Sequence, residues 1–141
     1  MPILQMRAAT TLHALFVALL LVLGAIVLSG AWLVAATLCA SHAGWMALGA
    51  ALSAIVLLRL AHVPSSGSRV LLAMLATATA IVLANWLVVA LPIGQAMGLL
   101  PLEAARRIGP NFGWMLIKLG NTPLDWLWMV VALALAAWFG R

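Results

Sequence analysis

Long apolar segments separated by short polar ones run through most of the sequence. Residues 10–61 are almost continuously apolar, and a single helix of that length would be more than twice as long as the ~30 Å hydrocarbon layer of a membrane. The chain must therefore fold back within this segment. Its most polar and small-residue stretch is CASHAG, Cys39 to Gly44, which predicts the turn there; a turn in SGAW, near Gly30, is the alternative.

Turn-forming and capping residues mark the remaining helix ends. VPSSGSR, residues 63–69, is a connector of proline, glycine and serine. Pro92 predicts that the third helix stops just before it, because the residue ahead of a proline is pushed out of the α region. In NTPLDW, Thr122 is the predicted N-cap, Pro123 suits the first helical position, and Asp125 can accept from the Thr122 amide. The predicted helices are about 11–38, 44–62, 70–91 and 122–139.

The connection between the third and fourth helices, residues 92–121, is too polar to span a membrane and too apolar to be a free loop. It predicts two short amphipathic helices in the membrane interface, broken at Gly109 and Pro110. The fold class expected from the sequence is thus an all-α integral membrane protein. Residues 1–141 form one domain, a bundle of four transmembrane helices with interfacial helices between the third and the fourth.

Composition supports this expectation. Hydrophobic residues make up 67% of the chain and charged residues 6%, and the mean hydropathy is +1.25, far from the makeup of a soluble domain. The apolar run after Arg7 is much longer than the core of a signal peptide, which predicts a retained helix. The net charge of +5 comes from scattered cations without a basic run, so we expect them to face lipid headgroups rather than nucleic acid.

Small and polar residues inside the helices predict how the bundle is held together. Helix association in lipid depends on close packing at small residues and on occasional polar hydrogen bonds. Asn85, the most interior polar side chain of the third helix, is expected to face another helix and to bond across the interface rather than to hold a substrate. Tryptophans near the predicted helix ends are typical of an aromatic belt: Trp32, Trp45, Trp114, Trp126, Trp128 and Trp138.

Three histidines stand at predicted helix ends. His13 and His62 are expected on one side of the membrane and His42 on the other, so His13 and His62 could together hold a haem. LHALF and SHAGWMALGAALSAIVLLRL are similar to the first two helices of bacterial b561-type cytochromes, over about a third of the chain. The resemblance implies a b-type haem and electron transfer. Residues 63–141, however, contain none of the histidines that such cytochromes carry on their later helices.

Most charges gather in one stretch, PLEAARRIGPNFGWMLIKLGNTPLDW, residues 101–126. Glu103 precedes Arg106 and Arg107 at the spacings that form ion pairs along a helix, so the cluster can neutralise itself. The alternative is a surface for anionic lipid headgroups or an acidic partner loop. Its residues would be Arg106, Arg107, Asn111, Trp114 and Lys118.

No reactive constellation is evident in the sequence. Glu103 and Asp125 are its two carboxylate side chains, no histidine, cysteine or serine is arranged with a base in a recognisable catalytic motif, and the histidines lack metal-ligand spacing. We therefore expect a non-enzyme without metal or cofactor. The expected function is that of an accessory or structural subunit that packs against lipids, other transmembrane subunits or itself. A haem electron carrier and a small homodimeric transporter with a cavity around Asn85 are the alternatives.

Charge also predicts orientation. Four crossings place both termini on one side, together with four arginines, against three cations on the other side. Arg7 beside the first helix favours cytoplasmic termini in a bacterial cytoplasmic membrane, and the close balance of four cations against three leaves antiparallel homodimers inserted both ways as the alternative.

Overall fold

A computed structural model describes residues 2–141 of the chain, with side chains from Arg7 onward. This part of the chain contains six helices and no strand, which confirms the all-α prediction. The helices are α1 (Pro2–Cys39), α2 (Met46–Leu60), α3 (Gly67–Met97), α4 (Pro101–Arg107), α5 (Pro110–Gly120) and α6 (Pro123–Phe139).

Two helices are long and apolar enough to cross a membrane, α1 over Arg7–Cys39 and α3. A third crossing results if α5 and α6, which meet at an angle of 105°, are counted together as one span. The apolar helix α2 has 15 residues, about 22 Å at the rise of an α-helix. By length and composition, residues 2–141 therefore hold two or three candidate spans.

Helix α3 is the centre of the fold and contacts every other helix. Gly24 of α1 faces Leu57 of α2, and Gly49 faces Leu28, so α1 and α2 are antiparallel. The buried Ser29 hydroxyl donates to the carbonyl of Ala25 at 2.7 Å within α1 and to that of Ala80 in α3 at 3.4 Å. Since small residues line these contacts, the helix backbones come close together.

Helix α6 packs against α2 and α3, on the far side of the bundle from α1. Arg69, at the start of α3, links the α2–α3 connection to the C-terminal end of α6. Its Nε donates to the carbonyl of Gly140 at 2.8 Å, and its guanidinium also bonds the carbonyls of Val63 and Arg141. The α2–α3 connection and the end of α6 are thus fixed together.

The turn between α1 and α2 lies where the sequence predicts it, after Cys39, and Gly30 lies within α1. Ala40 and Ala43 have positive φ angles of 48° and 51°, which allow the chain to reverse sharply. Trp32 is 0% exposed, and its Nε1 donates to the carbonyl of His42 at 2.8 Å. The expectation that Trp32 belongs to an aromatic belt is therefore wrong, because its ring is buried and holds the turn.

Several helix boundaries differ from the predicted ones. α1 starts at Pro2 rather than near residue 11, because proline at the first position and the Leu, Gln, Met and Ala that follow favour a helix before the apolar run begins. α2 is shorter than 44–62 at both ends, since turn residues occupy 40–45 and 61–66.

The predicted end of α3 before Pro92 is also wrong, because the helix continues through Pro92 to Met97. A proline inside a helix removes one hydrogen bond, and neighbouring helices can compensate for that loss in a membrane protein. α3 ends instead at Gly98, whose left-handed φ of 66° is followed by a bond from the Leu99 amide to the Gly94 carbonyl at 2.8 Å. Residues 92–97 therefore belong to α3 and not to the interfacial connection.

The rest of the connection contains the two predicted short helices, α4 and α5, interrupted at Gly109 and Pro110. Trp86 of α3 anchors both of them. Its Nε1 donates to the carbonyl of Ala105 in α4 at 2.9 Å, and its ring lies against Gly113 of α5. The connection is consequently packed against α3.

Candidate functional site

A groove of about 600 Å³ lies beside the α1–α2 turn, between the end of α1, the second half of α3 and α5. Its walls are mostly aliphatic, and its polar side chains come from the turn and the two long helices. It is lined by Leu33, Ala36, Thr37, Ala40, Ser41, His42, Val88, Val89, Leu91, Pro92, Gln95, Leu116, Leu119 and Gly120. Ligand pockets in proteins have volumes of about 300–1,000 Å³ and a similar mixture of apolar walls and a few polar groups.

His42 is the titratable side chain of this groove. Its ring lies against the backbone of Gly120, so that a Cβ placed there would be 2.5 Å from Cε1 and 2.6 Å from Nε2. The ring nitrogen Nδ1 is buried and has no hydrogen-bond partner among residues 2–141. A buried polar atom without a partner costs about 1–3 kcal/mol, and because this nitrogen has almost no solvent-accessible surface, a ligand in the groove would reach it only if the ring moved.

Pro92, which lines the groove, interrupts the hydrogen bonding of α3. Pro92 has no N–H, so the carbonyl of Val88, four residues earlier in α3, lacks its usual helical donor. Val88 and Pro92 both line the groove. The sequence indicates this acceptor only if the helix is known to continue through Pro92.

Asp125 holds the turn that carries His42 against the start of α6. Its Oδ2 accepts from the Thr122 amide at 2.9 Å, and its own amide donates to the Thr122 hydroxyl oxygen at 3.3 Å; these two bonds form the predicted capping box of α6. The Thr122 hydroxyl also donates to Oδ2 at 2.8 Å. Its Oδ1 accepts from the Gly44 amide at 3.0 Å. Gly44 has no room for a side chain, since a Cβ would lie 2.7 Å from the Cα of Asp125. Asp125 thus joins the turn before α2 to the start of α6 and lies near enough to His42 for an electrostatic interaction.

Asn85 lies inside the bundle, beside α5 and the start of α6, and is 4% exposed. Its Oδ1 accepts from Nδ2 of Asn121 at 2.8 Å, and its Nδ2 donates to the carbonyl of Ile81 at 2.9 Å. Asn121 is 7% exposed and also donates to the carbonyl of Ile117. Sequence reasoning missed Asn121, because an asparagine just before an N-cap is typical of an exposed turn.

The residues proposed for lipid or partner binding, Arg106, Arg107, Asn111, Trp114 and Lys118, all have exposed side chains. Arg107 pairs with Glu103 at 2.9 Å, one helical turn apart. The Nζ of Lys118 lies 5.4 Å from the centre of the Trp114 ring, and Trp114 meets Trp126 edge to face at 6.2 Å. The structure therefore assigns several of these side chains to contacts within the chain.

The histidines considered for haem, His13 and His62, both have exposed side chains. His62 also has a positive φ of 54° at the end of α2. In the part of the chain that the structure describes, no three His, Cys, Asp or Glu side chains come together in a way that could hold a metal ion.

Comparison with known proteins gives no family assignment, since no protein-family model, curated protein or solved structure matches the chain. The fold itself defines a class: an all-helical protein with apolar helices of membrane-spanning length and a groove at one end.

Proposed function

We propose that the protein is a non-catalytic accessory subunit of a bacterial cytoplasmic membrane complex, and that it packs against a partner helix through α1. In this proposal α1, α2, α3 and α6 each cross the membrane, both termini are cytoplasmic, and the α4–α5 connection lies in the opposite interface. The proposal rests on the exposed surface of α1, which is apolar and contains an outward-facing glycine.

Helix α1 is buried along a single stripe. The buried side chains of this stripe are Val17, Leu21, Ala25, Ser29, Trp32 and Ala36. Beyond this stripe, large apolar side chains are exposed along the helix from residue 12 onward, among them Phe16, Ile26, Val27 and Val34. This surface is apolar all round, as expected for a helix surrounded by lipid or by other helices.

The surroundings of the two glycines of α1 differ, and this difference favours contact with another helix over contact with lipid alone. Gly24 faces α2, where Leu57 fills the space beside it. Gly30 faces outward and has nothing within 4 Å of its missing Cβ. Glycine costs a helix about 1 kcal/mol relative to alanine, and on a lipid-facing surface it allows close approach of a second helix. Gly30 is therefore the proposed centre of the contact.

The antiparallel packing of the helices supports four crossings. α2 runs back along α1, and α6 runs back along α3 from Asn121 to Gly140, near Val70. With 15 and 17 residues, α2 and α6 are about 22 and 25 Å long, which requires modest local thinning of a ~30 Å hydrocarbon layer.

The distribution of cations supports the orientation. Arg69 and Arg141 are bonded together at the end of the bundle where α2 also ends with Arg59. Arg106, Arg107 and Lys118 lie on α4 and α5 at the other end, where Glu103 and Asp125 offset part of their charge. The end with the larger excess of positive charge is expected on the cytoplasmic side.

The carboxylates support a non-catalytic role, because each has a structural partner. Glu103 pairs with Arg107, and Asp125 forms the cap of α6 and the bond to Gly44. A general acid or base would need a carboxylate free to exchange protons with a substrate.

Site-specific photocrosslinking in intact membranes tests the proposal. A photoreactive residue at Ile26 or Val34, one turn before and after Gly30, should give an adduct with another membrane protein of defined mass. Gly30→Leu should abolish that adduct while leaving the protein folded. The control position is Leu52 on α2, which is exposed but has no outward glycine beside it.

The results separate the alternatives. Adducts with lipid alone at Ile26 and Val34 would contradict the docking surface. An adduct with a second copy of the chain would indicate a homodimer and would contradict the accessory role.

A further inference from the structure

We propose that α5 lies in the plane of the membrane interface and binds anionic phospholipids, of which phosphatidylglycerol is the simplest representative. Lys118 holds the lipid phosphate beside the Trp114 ring, and the acyl chains cover the apolar outer face of the helix. The inference rests on the proposed crossing of α6, because α5 meets α6 at 105°. A helix that is nearly perpendicular to a spanning helix runs along the membrane surface.

The inner face of α5 packs on the protein. Residues three and four positions apart lie on the same side of an α-helix, and Gly113, Ile117 and Gly120 have this spacing. The rings of Trp86 and His42 lie against the two glycines, and Ile117 between them is buried. One side of α5 is therefore fixed against the bundle, which leaves its other two sides to the surroundings.

The two outer faces of α5 differ in polarity. The polar face consists of three exposed residues, Asn111, Trp114 and Lys118. The apolar face consists of Phe112, Met115 and Leu119, which are 53%, 56% and 73% exposed. The inner, polar and apolar faces are roughly a third of a turn apart. A helix that lies in the interface beside a bundle needs this arrangement, with one outer face toward the headgroups and the other toward hydrocarbon.

The charge of this region favours an anionic ligand. The Nζ of Lys118 lies 5.4 Å from the centre of the Trp114 ring, a contact that orients the ammonium group but does not neutralise it. Arg107 of α4 pairs with Glu103, whereas Arg106 has no ion pair in the described part of the chain. Helices α4 and α5 together carry three cations and one carboxylate. Basic residues at this depth attract anionic headgroups.

A phospholipid fits both outer faces of α5 better than an acidic protein segment does. An acidic segment bound to Lys118 would leave Phe112, Met115 and Leu119 uncovered or would need a second, apolar surface. A phospholipid carries a phosphate and acyl chains in one molecule, so it pairs with Lys118 and covers the apolar face at the same time. Binding of such helices increases with both the apolar area buried and the attraction to anionic lipids.

Fluorescence quenching of the full chain in phosphatidylcholine nanodiscs tests this inference. A bimane fluorophore is attached at position 119 of a Cys39→Ser, Leu119→Cys variant. A fixed fraction of the lipid is replaced by phosphatidylglycerol or phosphatidylcholine with brominated acyl chains, which quench bimane at short range. We expect brominated phosphatidylglycerol to be enriched beside position 119 at least about fivefold relative to brominated phosphatidylcholine. High salt should reduce the enrichment, because it screens exposed charges.

Charge variants test the contact with Lys118. Lys118→Gln should lower the enrichment about fivefold, and Lys118→Arg, which keeps the charge, should preserve it. The double variant Lys118→Gln and Arg106→Gln should abolish the preference. Arg59→Gln is the matched control, since it removes an exposed cation at the end of α2 and should leave the enrichment unchanged. All of these side chains are exposed, so the variants are expected to fold.

A second labelling position separates the placement of α5 from the class of lipid. Bimane at position 111, introduced by Asn111→Cys on the polar face, should be quenched less by brominated phosphatidylcholine than bimane at position 119. Equal quenching at the two positions would contradict the placement of α5 in the interface. The proposed crossing of α6 has a separate test, because its failure would make cysteines at 111 and 141 react from the same side of the membrane.

The lipid contact can fail while the placement of α5 stands. Stronger quenching at position 119 without enrichment of phosphatidylglycerol would overturn the contact and would indicate an acidic protein segment as the partner of Lys118. Enrichment that persists unchanged in Lys118→Gln would overturn the assigned residue.

Discussion

Asn85 and Asn121 are hydrogen bonded to each other inside the bundle, with 2.8 Å between Oδ1 of Asn85 and Nδ2 of Asn121. The bond joins the middle of α3 to the junction of α5 and α6. It therefore determines where the chain turns from the short helices into α6, one residue before the Thr122 cap.

Breaking this pair should destabilise the fold in a coupled way. Asn85→Leu and Asn121→Leu should each lower the free energy of unfolding by about 1–3 kcal/mol, because each leaves a buried amide with fewer partners. The double variant should lose less than the sum, with a coupling energy of about 1 kcal/mol. Unfolding by SDS in mixed micelles measures all three variants.

Thr79→Ala is the control for this cycle. Thr79 is an exposed residue of α3 whose hydroxyl bonds only its own helix, at the Leu75 carbonyl. Its replacement should change stability by less than about 0.5 kcal/mol. Strict additivity of the two asparagine variants would show that the bond contributes nothing to the fold.

Asp125 and Thr122 should contribute unequally to stability although they share one capping box. Asp125→Ala removes the carboxylate half of the capping box and the bond to Gly44, while the amide of residue 125 can still donate to the Thr122 hydroxyl, and we expect a loss of about 2–3 kcal/mol. Thr122→Ala leaves the Asp125 contacts with Gly44 and with the Thr122 amide, so its cost should be about 1 kcal/mol. Thermal unfolding in detergent checks the order, with Thr122→Ser as a variant that keeps the box. A larger loss in Thr122→Ala than in Asp125→Ala would contradict the role of Gly44.

Two glycines of the connection should tolerate alanine very differently. At Gly113 a Cβ would lie 2.5 Å from Trp86, so Gly113→Ala must displace the ring and should cost about 1–3 kcal/mol. At Gly109, the N-cap of α5, an added Cβ would have nothing within 4 Å, so Gly109→Ala should cost only the difference between glycine and alanine at an N-cap, about 0.5–1 kcal/mol. Tryptophan fluorescence during thermal unfolding reports both changes. Equal stability of the two variants would mean that α5 is not packed on Trp86.

The sequence predicts the helices of this protein better than their ends. The turn after Cys39 and the cap at Thr122 follow from local chemistry, which acts over a few residues and can be recognised in any context. The continuation of α3 through Pro92 cannot be recognised in this way. The local preference of the residue before proline is outweighed by packing of the last turns of α3 against α4, where Gly94 lies next to Ala104.

The candidate site was less predictable for a related reason. His42, Val88 and Gly120 are 32 or more positions apart from one another, and only the packing of α1, α3 and α5 brings them to one groove. That the buried Nδ1 of His42 has no partner in the described part of the chain also cannot be recognised from the sequence. By contrast, Asn85 could be selected from the sequence, because an amide inside an apolar helix needs a partner wherever the helix packs.

The number and direction of membrane crossings is the central claim, and cysteine accessibility in intact cells tests it most directly. In a Cys39→Ser background, single changes Ser41→Cys, Ser65→Cys, Asn111→Cys and Arg141→Cys would be exposed to a membrane-impermeant maleimide. All four positions have exposed side chains in the structure. We predict that the cysteines at 41 and 111 react in intact cells and that those at 65 and 141 react only after permeabilisation. If the cysteines at 41 and 65 react from the same side, α2 does not cross the membrane. If the cysteines at 111 and 141 react from the same side, α6 does not cross it. Either result would contradict the four-span account.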